Sequence, residues 1–370
     1  MINNLLIFLF ISTTYSFMLS SRYTTSNCQM NMWNSIDKNF KNIARKWFIS
    51  RAEKAGIDWY HLVEKNKMDF NYLKYIFNNV ENKNIIYPDY YKKPFHGYDD
   101  GNLNWDAALE GDAATLSIAV NYWKNNDPHE SEKWLRNNIT ENINSYYKKH
   151  NVSEIKDILD VGCSVGVSSE YLYNSYKNVN SITGIDLSPY FLSISILKAI
   201  QKNLPINYYH KMAESTKFED CSYDFIVCNF LLHEVPYESS KLIINELYRI
   251  LKPGGVLAIV DLDPKNVKNK LIVSEFRKWA FEVTEPHISE YYKTDLSELL
   301  KNNNFENVEK VTNDPVNSIW FGHKMTNKLN KLNKLNKEIP KQKIESNNKV
   351  YEIPCTVLIS NDEKRMLALI

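Results

Sequence analysis

From about residue 155 onward, short β-branched runs alternate with helical ones, and that alternation leaves very few architectures open. Strands are expected at Ile155–Val161, Ser181–Asp186, Ile206–His210, Asp224–Asn229 and Val256–Asp261. Helices are expected near Val167–Tyr176, Pro189–Lys202 and Lys241–Leu251. A strand, a crossover helix and a returning strand make a βαβ unit, and several in series give a parallel sheet covered by helices on both faces. Ser188 as N-cap and Pro189 at the first helical position are the local chemistry that starts such a helix. Farther on, a helix at Thr294–Asn303 and a strand near Val308–Thr312 precede two competing candidates for a last strand, Ser318–His323 and Glu352–Ser360. Between those candidates lies KLNKLNKLNK, whose period of three drifts off a 3.6-residue helical face. It reads as a solvated low-complexity insertion over 324–349, followed by a C-terminal strand and tail at 350–370.

Ahead of the alternating region the periodicity is helical. Phe40, Ile43, Ala44, Trp47, Phe48, Ala52 and Ala55 form one stripe, and a second helix is expected from Trp59 to about Phe77. Together they make a helical module over 37–86. Pro88, Pro94, Gly97 and Gly101 punctuate the aromatic segment Tyr87–Gly111, which should be mostly loop, within a lid or connecting segment over 87–150. Residues 1–36 are read as a targeting presequence. Leu5–Ile11 is a short uncharged apolar run, Thr14 and Ser16 suit a signal-peptidase cut before Phe17, and no acidic residue follows before Asp37. This order resembles the two-part presequence of algae with secondary plastids and implies a plastid location; a plain secretory signal or a cytoplasmic protein are the alternatives.

Charge narrows the function classes. The 370 residues carry a net charge of +1, yet residues 94–322 hold 22 basic against 32 acidic side chains, while 38–93 hold 12 against 6 and 323–350 hold 8 against 2. A groove for nucleic-acid phosphates needs Lys and Arg in its walls, so no nucleic-acid partner is expected of the acidic body. The basic tract near the C-terminus leaves a peripheral membrane or partner contact open. Five scattered cysteines without a CxxC pair suggest reduced thiols and no metal site. No apolar run approaches the length of about 18 residues that a transmembrane helix needs.

The residues ILDVGCSVGVSS, 158–169, place Asp160 at the end of a strand and Gly162, Cys163, Ser164 and Gly166 in the turn that opens a helix. Glycines there let backbone N–H groups approach a ligand. A dinucleotide fingerprint would want glycine at 162, 164 and 167, where this chain has Gly162, Ser164 and Val167; a P-loop would want GK[ST], which is absent. Asp186 ends the next strand in GIDLSPYFL, where a carboxylate can accept both hydroxyls of a ribose. MAES (212–215) follows the third strand, SYDFIVCNFLLHEVP (222–236) contains the fourth, and LKPGGVLAIVD (251–261) turns into the fifth.

With these five motifs in order, the chain resembles a class I S-adenosylmethionine-dependent methyltransferase over roughly Ile155–Val311, of the small-molecule type similar to quinone-biosynthesis enzymes. The stretch 87–115 further resembles a plant, algal and cyanobacterial branch with an N-terminal extension. The resemblance implies a doubly wound, mainly parallel seven-stranded α/β sheet in a methyltransferase domain over 151–323. It implies S-adenosylmethionine as cofactor. Carried over by position, the Gly162–Gly166 turn, including Cys163 and Ser164, would hold the methionyl part, and Asp160 would act through water or the amino group. Asp186 would bind the ribose, with Leu187, Ala213 and Glu214 around the adenine, and Asn229 and Phe230 beside the methyl group. Ser164 departs from the usual glycine and is expected only to narrow the turn.

Methyl transfer from a sulfonium needs alignment and, where the acceptor must lose a proton, a base. His233 and Glu234, just past the fourth strand, are the candidates; the competing view packs His233 under the Pro236 turn. HEVPY does not match HExxH, so no metal role is expected. His96, Tyr98 and Glu110 are candidates for contact with a small-molecule acceptor, apolar or aromatic in kind. A different class of function, a catalytically silent S-adenosylmethionine-binding scaffold or assembly factor, needs the same cofactor residues. The oligomeric state and the atom methylated stay open.

Overall fold

The computed structural model describes residues 45–120, 127–270, 284–325 and four short strands between 342 and 369. Seven strands make one sheet: β1 Asp157–Val161, β2 Ser181–Asp186, β3 Ile206–His210, β4 Tyr223–Asn229, β5 Leu251–Leu262, β6 Glu306–Thr312 and β7 Asn317–His323. They lie in the order β3-β2-β1-β4-β5-β7-β6. The first five run parallel. β7 is antiparallel to both β5 and β6, so the sheet is mixed. Strands 6 and 7 are joined by a short turn and need no crossover helix, so the strand–helix alternation carries no signal for them.

Alternate residues serve opposite faces. Leu159, Val161, Ile226, Cys228, Leu257 and Ile259 belong to one core, with Ile243, Leu247 and Leu299 from the helices Tyr237–Ile250 and Leu296–Asn302. Ile158, Phe225, Val227, Val256, Ala258 and Val260 belong to the other, with Leu135, Ile143 and Leu172 from the helices Pro128–His150 and Val167–Ser175. Burial on both faces is why these strands read as unbroken apolar runs. The central strands need that double cover.

Ser318–His323, not Glu352–Ser360, supplies the last strand of the sheet; β7 is buried along its whole length between β5 and β6. The other candidate falls on two separate two-stranded sheets, Gln342–Ser346 with Lys349–Ile353 and Thr356–Ile359 with Met366–Leu369. The KLN tract and the presequence lie outside the described residues.

The helical module differs from its expectation in one respect. The stretch read as one helix is broken at Met68 and Asp69 into Trp59–Lys67 and Phe70–Val80. The loop expected over 87–111 ends early, because Trp105–Val120 is helical, with its Ala-rich face buried. With residues 45–54, also helical, these helices enclose a third core. Leu73, Ile76, Ala108 and Leu116 there meet Val165, Phe191, Ile194 and Leu197 of the sheet domain. Among the described residues no helix is long and apolar enough to cross a membrane.

The β1 turn has little room for side chains. Gly166 sits at φ +80°, and a Cβ there would lie 2.7 Å from the Tyr208 hydroxyl and 2.8 Å from Ser195 Cβ. Gly166→Ala is therefore expected to cost about 2–4 kcal/mol from backbone strain and overpacking. Urea denaturation measures this, and an unchanged midpoint would contradict the packing described.

Candidate active site

At the carboxyl ends of β1 to β4 the structure holds a cavity of about 440 Å³. Its size suits a small ligand, and its place is where open α/β sheets bind one. The floor is tied together by backbone. Gly162 N and Cys163 N both donate to Ile185 O, at 2.9 and 3.0 Å, and Lys211 N donates to Asp186 O at 3.2 Å. Ser164 holds φ +49° without being glycine. Its N–H donates to Asp186 Oδ2 at 2.9 Å, while Ser188 N–H donates to Oδ1 at 2.8 Å. Burial, opposed by those two N–H groups, pushes the Asp186 carboxyl up to about 6.

Gly162, Cys163, Ser164, Asp186 and Leu187 line the cavity, with Ala213, Glu214, Asn229 and Phe230 on the next walls. Asp160 and Gly166 do not. Asp160 is fully buried below the floor, accepting from Ser168 Oγ and Ser169 Oγ at 2.6 Å each, with Asn229 Nδ2 at 3.5 Å. Its place is to fix the start of the helix Val167–Ser175 and to orient the Asn229 amide. Phe230 is held at φ +56°, an uncommon conformation for a bulky side chain and one concentrated at functional sites.

A strap over residues 87–104 crosses above these strand ends. Tyr90 Oη donates to Glu214 Oε1 at 2.5 Å, His96 N donates to Thr284 O at 3.1 Å, and Ser188 Oγ donates to Asn102 O at 2.7 Å. His210 anchors its start. Because Asn82 N donates to Nδ1 at 2.9 Å, the ring proton sits on Nε2, which donates to Leu187 O at 3.1 Å.

His96, Tyr98 and Glu110, proposed for the acceptor, all line the cavity, in two separate bonded groups. Glu110 accepts from both Arg45 and Tyr98, so its carboxylate joins the helix at 45–54, the strap and the helix Trp105–Val120. His96 points elsewhere, with Nε2 3.0 Å from Glu285 Oε1 and 3.7 Å from Glu234 Oε1. Burial disfavours its charged form, but those two carboxylates outweigh that and raise it.

His233 does not merely pack under Pro236. Its Nδ1 lies 2.6 Å from Asp261 Oδ1, and the backbone N–H groups of Leu232 and His233 donate to Asp261 Oδ2 at 2.9 and 3.3 Å. The carboxylate holds the proton on Nδ1, which leaves Nε2 as the basic nitrogen of the neutral ring. Burial opposes the imidazolium, yet Asp261, Glu285 and Glu234 push the group up to about 9. Glu234 is itself raised to about 7 by burial, against His96 and His233.

Sequence reasoning missed Asp261, Glu285 and Arg136. Asp261 stood in view as the last residue of a strand, but its partner is 28 positions away. Arg136 lies in a helix that was not foreseen. It is buried, lines the cavity, and has an Nε with no hydrogen-bond partner; Asn229 Oδ1 is likewise buried and unpartnered. Arg136 pairs with Glu132 at 3.9 Å, and the Asn229 Oδ1 acceptor has no partner; a guanidinium and a free amide oxygen in one cavity wall fit the carboxylate and ammonium of an amino-acid moiety.

Residues 159–259 match the family model described as "Methyltransferase domain". A ubiquinone biosynthesis O-methyltransferase from Hydrogenovibrio crunogenus is 34% identical over 128 residues, 34% of this chain and 51% of that protein. A demethylmenaquinone methyltransferase from Listeria monocytogenes is 27% identical over 139 residues, 37% of this chain and 58% of its own length. The matches thus span only about half the length of these relatives. Among solved structures, an O-methyltransferase family protein from Burkholderia thailandensis aligns at TM-score 0.45 with 12% identity, over 61% of this chain and 64% of that one.

If Asp186 binds the ribose as its carboxylate, affinity for S-adenosylhomocysteine should weaken as the pH falls through about 6, the range in which the free carboxyl takes its proton. Asp186→Ala should weaken binding at all pH values and remove that dependence. Titration calorimetry between pH 5 and 8 reads both; unchanged affinity in the variant refutes the assignment.

Proposed function

We propose that this chain is an S-adenosylmethionine-dependent methyltransferase acting on a small, apolar or aromatic acceptor whose reacting group must lose a proton. The observation that carries this is the coexistence, around one cavity, of the Gly162–Ser164 turn with Asp186 on one side and the His233–Asp261 pair on the other. S-Adenosylmethionine supplies, when bound, a methyl group on a sulfonium. The chain's residues do the rest. Asp186 and the turn place the donor, and Arg136 and Asn229 hold its amino-acid end. Tyr91 and Phe95 of the strap line the same cavity and exclude water from it. His233 Nε2 takes the acceptor's proton as the methyl group is transferred, and Asp261 fixes the ring and stabilises the imidazolium.

A scaffold that only binds the donor has no use for free space beside His233. Here the cavity reaches from the turn to His233 and Glu234, which is the geometry turnover requires. No observation favours the silent reading.

His233→Ala should lower kcat by about 10²–10⁴-fold, with S-adenosylhomocysteine affinity kept. A neutral imidazole is needed, so kcat/KM should rise with pH, reach half its maximum at about 9 and level off above it. Asp261→Asn should move that limb toward the ordinary histidine range, because the main anion raising it is gone; an unmoved limb would dispose of the pairing. Arg136→Met should weaken cofactor binding about 10-fold or more, the worth of a charge-assisted hydrogen bond; equal calorimetric affinities would rule out its carboxylate role.

A further inference from the structure

Large apolar and aromatic side chains stay exposed on the outward side of the helical module, at Tyr60, Met68, Tyr72, Tyr75 and Ile86. Patches of that kind mark contact with another body. The helix Phe70–Val80 shows how this one is built. Leu73 and Ile76 are buried, and Phe70 and Phe77 close on Trp105 at 5.1 and 5.7 Å, which fixes the inner face. Tyr72 and Tyr75, three residues apart, project outward together with their rings stacked at 5.9 Å. Met68, 79% exposed, lies one turn before them.

This helix runs antiparallel along Pro189–Lys202 of the sheet domain. Phe77 meets Tyr190 at 4.7 Å, and Gln201 Nε2 donates to Asp69 Oδ2 at 3.0 Å. The second bond sets the exposed Ile200 beside the start of the tyrosine helix. Ile200 also rims an apolar groove of about 350 Å³, with Ile196, Ala199, Leu204 and Ile206 in its walls. None of Met68, Tyr72, Lys74, Tyr75 and Ile200 lines the cavity.

Charge selects what covers this face. No acidic residue occurs from Phe70 to Val80, and the helix's one charge is Lys74, whose Nζ lies 4.6 Å from the Phe70 ring centre. Residues 38–93 as a whole carry 12 basic against 6 acidic side chains, the reverse of the body. The core of a protein–protein interface is depleted of lysine. Tyrosines and lysine around apolar tips suit instead the headgroup layer of a bilayer, where phenol rings sit at the polar boundary and lysine is drawn to anionic lipid.

We infer that the outward face of the helix Phe70–Val80, edged by Met68 and Ile200, is a docking surface for an anionic lipid bilayer. The helix lies in the plane of the membrane, its tyrosines and Met68 entering the headgroup boundary and Lys74 meeting lipid phosphate. No step of methyl transfer passes through this surface.

The test is cosedimentation of the full chain with vesicles of phosphatidylcholine alone, or mixed equally with phosphatidylglycerol, at low and high salt. The expected result is binding to the mixed vesicles, weaker binding to phosphatidylcholine, and a loss on adding salt, which screens the attraction of lysine to lipid. Lys74→Glu should lower affinity for the mixed vesicles about tenfold, since one attractive charge becomes a repelled one, and leave phosphatidylcholine binding as it was. Tyr72→Ser combined with Tyr75→Ser should lower binding to both vesicle kinds. Because these side chains are exposed, the variants should keep the urea midpoint and the S-adenosylhomocysteine affinity of the unaltered chain. Equal binding to both vesicle kinds, binding to neither, or binding that either variant leaves unchanged would each overturn the proposal. So would self-association that the tyrosine variant abolishes, because a second copy would then cover the face. Failure to bind S-adenosylhomocysteine would count against the methyltransferase reading alone.

Discussion

The hydrogen bonds between the turn after β1 and the end of β2 hold the rest of the site in place. Gly162 and Cys163 share Ile185 O, and Ser164 N–H reaches the Asp186 side chain. These bonds fold the chain back over the neighbouring strand, so that the turn and the acidic residue face one space. They also take up Asp186's two oxygens from below, leaving its remaining lone pairs toward the cavity. Left-handed geometry at Gly162, Ser164 and Gly166 is the condition for this arrangement. Beneath it, Asp160 clamps the start of the next helix through two serine hydroxyls.

From that floor the cavity divides by chemistry. One part of the lining is the Gly162–Ser164 backbone with the Asp186 carboxylate, Asn229 and Arg136. The other is a cluster of carboxylates and imidazoles whose protonation is set by one another: Asp261 raises His233, while His96 and His233 restrain a buried Glu234. Such mutual perturbation in a cleft is characteristic of sites that move protons. The strap joins the two ends, bonding to Glu214 at one and to Thr284 and Glu285 at the other. Any ligand within is enclosed by residues from distant parts of the chain.

The helical module has a mechanical part in this. Gly111 lies against the turn so closely that a Cβ would come within 2.6 Å of Val165 Cγ1. The Arg45–Glu110–Tyr98 cluster then ties the module to the strap. A segment outside the sheet domain therefore packs directly against the Gly162–Gly166 turn.

The sequence by itself determined β1 to β5, their intervening helices, the glycine turn and the acidic ends of the strands. Those features arise from neighbours in the chain: apolar runs buried on both faces, a Ser-Pro helix start, and a turn requiring positive φ. Only the tertiary structure decided the antiparallel edge, because two segments were both candidates for the last strand and burial between β5 and β6 chose Asn317–His323. It also set the long-range partners: Asp160 with Ser168 and Ser169, Glu110 with Arg45 and Tyr98 in the cavity wall, and His233 with Asp261, which lifts it above the histidine range. Pairings between residues far apart in the chain, and the protonation they set, depend on distance and burial, which no local pattern of residue types encodes.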